Sequence, residues 1–257
     1  MTDVVLECIA TARRIGGRIV LPEGEDPRIV SAARRLVDEK IAEPVVLGER
    51  GRVEAIASDS GIDLEGVIVE DPAGSDRIET YAAEYVRARP KTRPGAAARQ
   101  LRKPLFYGGM MVRCGDASAM LAGAANPTSR VIKAASLTIG TSPGVQTPSS
   151  YFVMALPEGR GALLFSDCAF NVEPDAPALA DIALASASSA EKVLGVTPKV
   201  AILGHTTLDG EDGPLRPLAV EAATLARDRS PDVSVEGGVD VSSALENRSN
   251  VLVFPDL

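Results

Sequence analysis

The chain has 257 residues, of which 45% are hydrophobic and 24% charged, and its formal net charge is −8. That length can bury a sizeable core in one large domain or two ordinary ones, and the composition excludes a disordered polyelectrolyte. The acidic balance argues against general nucleic-acid binding, which calls for a basic surface; it leaves room for small anionic ligands held by placed arginines and helix N-termini.

The N-terminal stretch "MTDVVLECIATARR" is too polar and too acidic for a secretory signal. After it, "GRIVLPEGEDPRIVSAARRLVDEK" reads as strand, turn and amphipathic helix. Ile29, Ala32, Ala33 and Leu36 fall on one face, and Arg34, Arg35, Asp38 and Glu39 on the other. Asp26 suits the N-cap and Pro27 the first helical position. The alternation continues with the strand "EPVVLG", the helix "GRVEAIASDSG", the strand "GVIVED" and the helix "SDRIETYAAEYVRAR". Strands alternating with helices predict a mostly parallel sheet covered on both faces.

Residues 93 to 140 break this rhythm with Ala-, Gly- and Met-rich, helix-compatible runs: "RPGAAARQLRK", "DASAMLAGAA" and "TSRVIKAASLTIG". The segment "TSPGVQTPSS" (141–150) is the natural domain crossing. Beyond it come two strand-like runs in "YFVMALPEGRGALLFSDC" and a long helix from Pro174 or Asp175 to Leu194, closed by Gly195. The strand "KVAILGHT", the helix "LRPLAVEAATLARDR", the weak strand "DVSVEGG" and the apolar "NVLVFPD" follow. The expected architecture is two α/β domains, 1–145 and 146–257, with mostly parallel sheets and a cleft between them.

Several stretches invite a chemical reading, each beside a structural one. In "GGMMVRCGDASAMLAGAANPTSRVIKAA" small residues permit close backbone approach, either between helices or to a ligand. "NPTSR" reads as a helix start that Asn126 or Thr128 could cap, with Arg130 and Lys133 following. A helix N-terminus with nearby cations can hold phosphate, or it is simply a capped helix. Arg87, Arg89, Lys91 and Arg93 form a basic cluster suited to an anion or to a solvated helix end. In "FSDCAFNVEPDA", Ser166, Asp167 and Asn171 follow a strand, where functional groups collect. Alternatively, Asp167 braces the turn and Asp175 caps the next helix. His205, the one histidine, has no nucleophile in a defined relation to it, and Cys168 reads as a small buried residue. No Walker loop and no GxGxxG fingerprint occur. Cys8, Cys114 and Cys168 are far apart and show no metal spacing, which fits a reducing, cytoplasmic setting. No run approaches the ~18 apolar residues of a membrane span, so no membrane role is expected.

Taken together, "RIVLPEGEDPRIVSAARRLV", "PLFYGGMMVRCGDASAMLAGA", "SPGVQTPSS", "DCAFNVEPDAPALADIALASASSA" and "NVLVFPDL" resemble the phosphate acetyl/butyryltransferase (phosphotransacetylase) family. The resemblance spans nearly the whole chain. It implies an isocitrate/isopropylmalate-dehydrogenase-like pair of α/β domains, usually in a homodimer. It also implies transfer of an acyl group between coenzyme A, a substrate rather than a bound cofactor, and inorganic phosphate. A metal is not expected. In the proposed chemistry an Asp takes the CoA thiol proton, the thiolate attacks the acyl phosphate carbonyl, and arginines hold phosphate.

The carry-over of residues is partial. Arg87 matches a family arginine assigned to substrate binding, and Lys133 stands where the family usually has a second, phosphate-binding arginine. Lysine keeps the charge without the planar fork, and Arg130, one turn earlier, could substitute. Asn126 and Pro127 replace the more common His-Thr. Thr128, Ser149, Ser150 and Asn171 complete the expected substrate-binding set. The loop "HTTLDGEDGP" adds carboxylates that would repel polyanionic CoA. In the family a segment beyond "FPDL" supplies a Ser-Arg pair and the Asp base, and no residue here aligns with that Asp. The base is therefore unassigned, with Asp167 and Asp256 as candidates. The alternative expectation is a catalytically impaired or non-catalytic relative that retains an anion- and CoA-binding cleft.

Overall fold

The computed structural model describes residues 3–157, 160–204 and 213–256. The chain opens with the helix α1 (Asp3–Ile15) and forms two compact units. One is Ile9–Gly140; the other runs from Thr141 onward and takes in the first residues up to Cys8. Among the described residues no helix is long and apolar enough to cross a membrane.

In the Ile9–Gly140 unit, four strands lie in the order β3 (Ile68–Glu70), β2 (Glu43–Leu47), β1 (Arg18–Leu21), β4 (Ala119–Met120), all parallel. Their side chains alternate between two buried faces, as a parallel sheet with helices on both sides requires. Val20, Val45 and Leu47 pack with Tyr81, Leu101, Tyr107 and Met110 from α4 (Ile78–Ala88), α5 (Pro94–Leu101) and α6 (Pro104–Cys114). Leu21 and Val46 face the other way, onto Ile29, Val30 and Val53 of α2 (Pro27–Asp38) and α3 (Arg50–Asp59). The α2 start is as the sequence predicts: Asp26 accepts from the Arg28 amide at 2.9 Å and Pro27 opens the helix. The unit ends with α7 (Thr128–Thr138).

"DASAMLAGAA" is not a helix. Its residues make the short β4, paired with Ile19 and Val20 of β1, and then a loop in which Gly123 has φ +117°. Helix propensity in an Ala-rich run is worth only tenths of a kcal/mol per residue, and the open edge of β1 offers better partners. The glycines just upstream serve packing. Gly109 of α6 lies so close to α7 that a Cβ there would stand 2.0 Å from Thr138 Oγ1.

The second unit holds five strands in the order β5 (Tyr151–Ala155), β6 (Ala162–Ser166), β9 (Val251–Val253), β7 (Lys199–Leu203), β8 (Ser234–Val239). Among the described residues only the β5–β6 pair is antiparallel. The closing run Val251–Val253 sits in the middle of the sheet, parallel to β6 and β7 on its two sides and fully buried. The helices α8 (Ala176–Leu194) and α9 (Arg216–Arg229) cover one face over Leu164, Val200, Ile202, Val251 and Val253. The short α10 (Val241–Glu246), which has no counterpart in the sequence reading, covers Ala201, Leu203 and Leu252 on the other. As the sequence predicts, α8 is capped by Asp175, which accepts from the Ala178 amide at 2.9 Å, and Gly195 ends it at φ +65°. Glycine takes that left-handed turn without the Cβ clash other residues meet.

Candidate functional site

In the four-stranded sheet, β1 lies between β2 and β4, so the chain leaving β1 and the chain leaving β4 turn away in different directions. A crevice opens at the carboxyl ends of strands at such a switch point. Here the post-β1 turn and the post-β4 loop meet there, and the link is Glu23.

The Glu23 side chain is buried, 6% exposed, and its carboxylate accepts five hydrogen bonds. Oε2 takes the amides of Gly123 and Ala124, each at 2.8 Å. Oε1 takes those of Ala125 and Asn126, at 3.0 and 2.8 Å, and the Asn126 side-chain Nδ2 at 2.8 Å. Burial works to raise this carboxyl's pKa, but the bonds from the Asn126 side chain and the Ala124, Ala125 and Gly123 amides outweigh it and hold the group below its usual range. The amide and the side-chain NH₂ of Asn126 are thereby spent on Glu23. The N-cap of α7 is Pro127, without a side-chain cap, which corrects the expectation that Asn126 or Thr128 caps the helix. Thr128 is exposed in the first turn.

Beside this junction lies a pocket of about 470 Å³. Lys103, Arg130 and Lys133 line it with Gln100, Asn126, Pro22, Pro104, Leu105 and Phe106. The lining brings three cations and no carboxylate together in a chain of net charge −8. Two helices begin at it: α6, whose N-cap is Lys103, and α7, and neither has a side-chain cap. Uncapped helix starts present amide N–H groups and the positive end of the helix dipole, which suits an oxyanion. Arg130 and Lys133 are three residues apart on α7, hence on one face. Arg130 also donates to Asn126 Oδ1 at 3.3 Å. A second hollow of about 300 Å³ shares Pro22, Pro104 and Asn126 with the first and runs along Gly24, Glu25, Asp26 and Leu47. Glu25 and Asp26 there are paired with Arg52 and Arg28, at 3.0 and 2.6 Å.

Ser150, Asp167 and Asn171 come together elsewhere, in the second unit. Asp167 is 2% exposed and accepts from the Ser150 amide at 2.9 Å, the Ser150 hydroxyl, the Ala169 amide at 3.4 Å, and the Asn171 amide and side chain at 2.7 and 2.6 Å. Asn171 Nδ2 also donates to the Pro148 carbonyl, and Ser166 Oγ to the Ser150 carbonyl. Burial raises the Asp167 pKa; the Ser150 hydroxyl and amide and the Asn171 donors more than offset that and keep it low. A carboxylate so enclosed and so stabilised in its ionised form is a poor proton acceptor, so Asp167 is a brace for the β5–β6 hairpin rather than a base. Ser149 is half-buried beside it, and Asp256 is exposed in the bend after β9.

Arg87 is not in the cationic pocket. It pairs with Glu84 at the C-terminal end of α4, beside a hollow of about 510 Å³ shared with Arg113 and Cys114. Its neighbour Arg89 donates to the carbonyls of Ser136 and Leu137, at the last turn of α7. Helix α7 has 11 residues, about 16 Å, so its two ends are far apart. Cys114 is exposed, and Cys168 half-buried; burial raises both thiols, and neither is poised as a thiolate. His205 and the acidic loop after it lie outside the described residues.

The sequence reading missed Glu23, Gln100 and Lys103. A signal existed for two of them. Glu23 stands in the first strand-to-helix turn, where sites gather, and Lys103 precedes Pro104 at a helix start.

The sequence profile of the phosphate acetyl/butaryl transferase family matches residues 3–257. The phosphate acetyltransferase of Acetivibrio thermocellus is 34% identical over 93% of this chain and 77% of its own length. That of Nitratidesulfovibrio vulgaris is 36% identical over 97% of this chain, but the match spans 37% of that much longer protein. Among solved structures, the EutD phosphotransacetylase from Staphylococcus aureus superposes with a TM-score of 0.87 at 30% identity, covering 99% of this chain and 82% of that one. With a profile match over residues 3–257 and identities of 34% and 36% to the two phosphate acetyltransferases, the chain belongs to the phosphate acetyl/butaryl transferase family.

Proposed function

We propose that this chain moves an acyl group between coenzyme A and inorganic phosphate, and that the phosphate oxygens bind in the pocket of Lys103, Arg130 and Lys133. The observation that carries the reading is that three cations and two uncapped helix starts converge there. In the direction of acyl-CoA formation, the CoA sulfur bonds to the acyl carbon as the carbon–oxygen bond to phosphate breaks. The electron pair leaves on phosphate, and the thiol proton goes to a base. Cations and amides facing the departing phosphate favour the transition state because they stabilise the charge that grows on it. Of the two candidate bases raised from the sequence, Asp256 remains. Arg87, outside the pocket and 78% exposed, is available for another anionic group of the larger substrate. The free thiols of Cys8 and Cys114 suit a reducing, cytoplasmic setting, and the exposed apolar residues of β5, Tyr151, Phe152 and Met154, suit burial in a homodimer.

A second reading, a relative that binds these substrates without turning them over, draws support from the committed state of the nearby acids. Glu23 is held by amides, and Glu25 and Asp26 by arginines. One experiment separates the two: thiol consumption from CoA and acetyl phosphate, with phosphate binding measured in parallel. Turnover that falls at least about 100-fold in the Arg130→Ala, Lys133→Ala double variant supports the enzyme reading. Phosphate binding without turnover supports the second. A chain that neither binds phosphate nor turns over refutes both.

A further inference from the structure

We propose that Glu23 is a positioning residue for the cationic pocket, acting through Asn126 on Arg130. The inference rests on the reading that this pocket takes phosphate. Four consecutive amides, from Gly123 to Asn126, converge on one carboxylate. Such a run of N–H groups forms a concave receptor for an anion. Here the chain supplies the anion itself. The receptor is filled from within, and a diffusing oxyanion meets the cations next to it.

The relay continues through a side chain with two distinct ends. Asn126 donates Nδ2 to Glu23 Oε1 at 2.8 Å, and its Oδ1 then accepts from Arg130 at 3.3 Å. An ionised carboxylate can only accept, so it selects the NH₂ end of the amide and turns the oxygen toward the guanidinium. With the amide reversed, NH₂ would face the guanidinium and the contact would become repulsive. Arg130 is exposed, and this acceptor limits its rotamers while leaving its remaining N–H groups for a ligand. The same five bonds tie the entry of α7 to the end of β1.

Glu23→Gln tests this with little change in volume. A glutamine must turn its own NH₂ toward amide donors on one side, so the loop cannot keep all five bonds. The measurement is a calorimetric titration of the whole chain with inorganic phosphate. It compares the wild type, Glu23→Gln, Arg130→Ala and the double variant, each shown to be folded at the titration temperature. Each single substitution is expected to weaken phosphate about tenfold, and the double variant to bind no more weakly than Arg130→Ala alone. That collapse is the signature of one residue acting through the other, since a role confined to stability would leave the two losses independent.

Unchanged affinity in Glu23→Gln, with a loss in Arg130→Ala, overturns the role of Glu23 and leaves the pocket standing. Losses that multiply overturn the relay. A wild-type chain that takes no phosphate overturns the pocket, and this inference with it. If Glu23→Gln does not fold, Asn126→Ala keeps the backbone bonds to Glu23 and severs only the relay. The same collapse with Arg130→Ala is expected, and independent losses again overturn the proposal.

Discussion

Glu23 and Asp167 look alike by themselves. Each is a buried carboxylate that accepts five hydrogen bonds and is held in its ionised form against the pull of burial. Their surroundings separate them. The donors of Asp167 come from residues 150 to 171, within and beside one hairpin. The donors of Glu23 lie about a hundred residues along the chain, and one of them, Asn126, goes on to touch a pocket arginine. A buried, stabilised carboxylate is therefore no sign of an acid–base residue. Where its partners lead distinguishes a brace from a part of a site.

The largest expected effect puts both on the same footing. Glu23→Ala and Asp167→Ala each remove the acceptor of five hydrogen bonds at a part-buried site, and each should cost about 3 kcal/mol of stability. Urea denaturation of the two variants checks this. If one loses less than about 1 kcal/mol, the parallel between the two carboxylates breaks.

Acid titration sharpens it. Both pKa values are lowered in the folded chain, so both contributions are present above the pKa of the unfolded chain, about 4 for Asp and Glu, and are lost as pH falls through the folded values. The melting temperature should thus decline below about pH 4, and the decline should flatten in a Glu23→Gln, Asp167→Asn double variant. Melting curves by circular dichroism between pH 7 and 3 read this directly. An unchanged acid limb would assign the decline to other carboxylates, such as Asp181, which accepts from Thr147 and Arg229.

The smallest effect isolates one donor. Ser150→Ala removes a hydroxyl that donates to Asp167 and accepts from the Cys168 amide. A loss of about 1–2 kcal/mol is expected by denaturation. A loss as large as that of Asp167→Ala would mean that the serine, not the carboxylate, organises the hairpin.

What could be read in the sequence was what local chemistry decides. Alternating apolar runs and amphipathic stretches located most of the strands and helices, because a buried strand and a one-sided helix impose their own periods. The caps at Asp26, Pro27, Asp175 and Gly195 were legible for the same reason, since each partner lies within a few residues. The order of motifs along the chain also carried the family.

Tertiary structure decided whatever depends on distant partners. An Ala-rich run with helical propensity became β4 and its loop because β1 had an open edge and Glu23 a free carboxylate. The final three-residue strand took the centre of its sheet, between strands that begin far earlier in the chain. Arg87, grouped by resemblance with the residues of α7, pairs with Glu84 near the other end of that helix. Glu23 passed unnoticed because nothing within ten residues of it reveals that four amides beyond residue 120 will close around it. Local sequence carries periodicity and capping, whereas the partner of a buried charge is chosen only when the chain folds back.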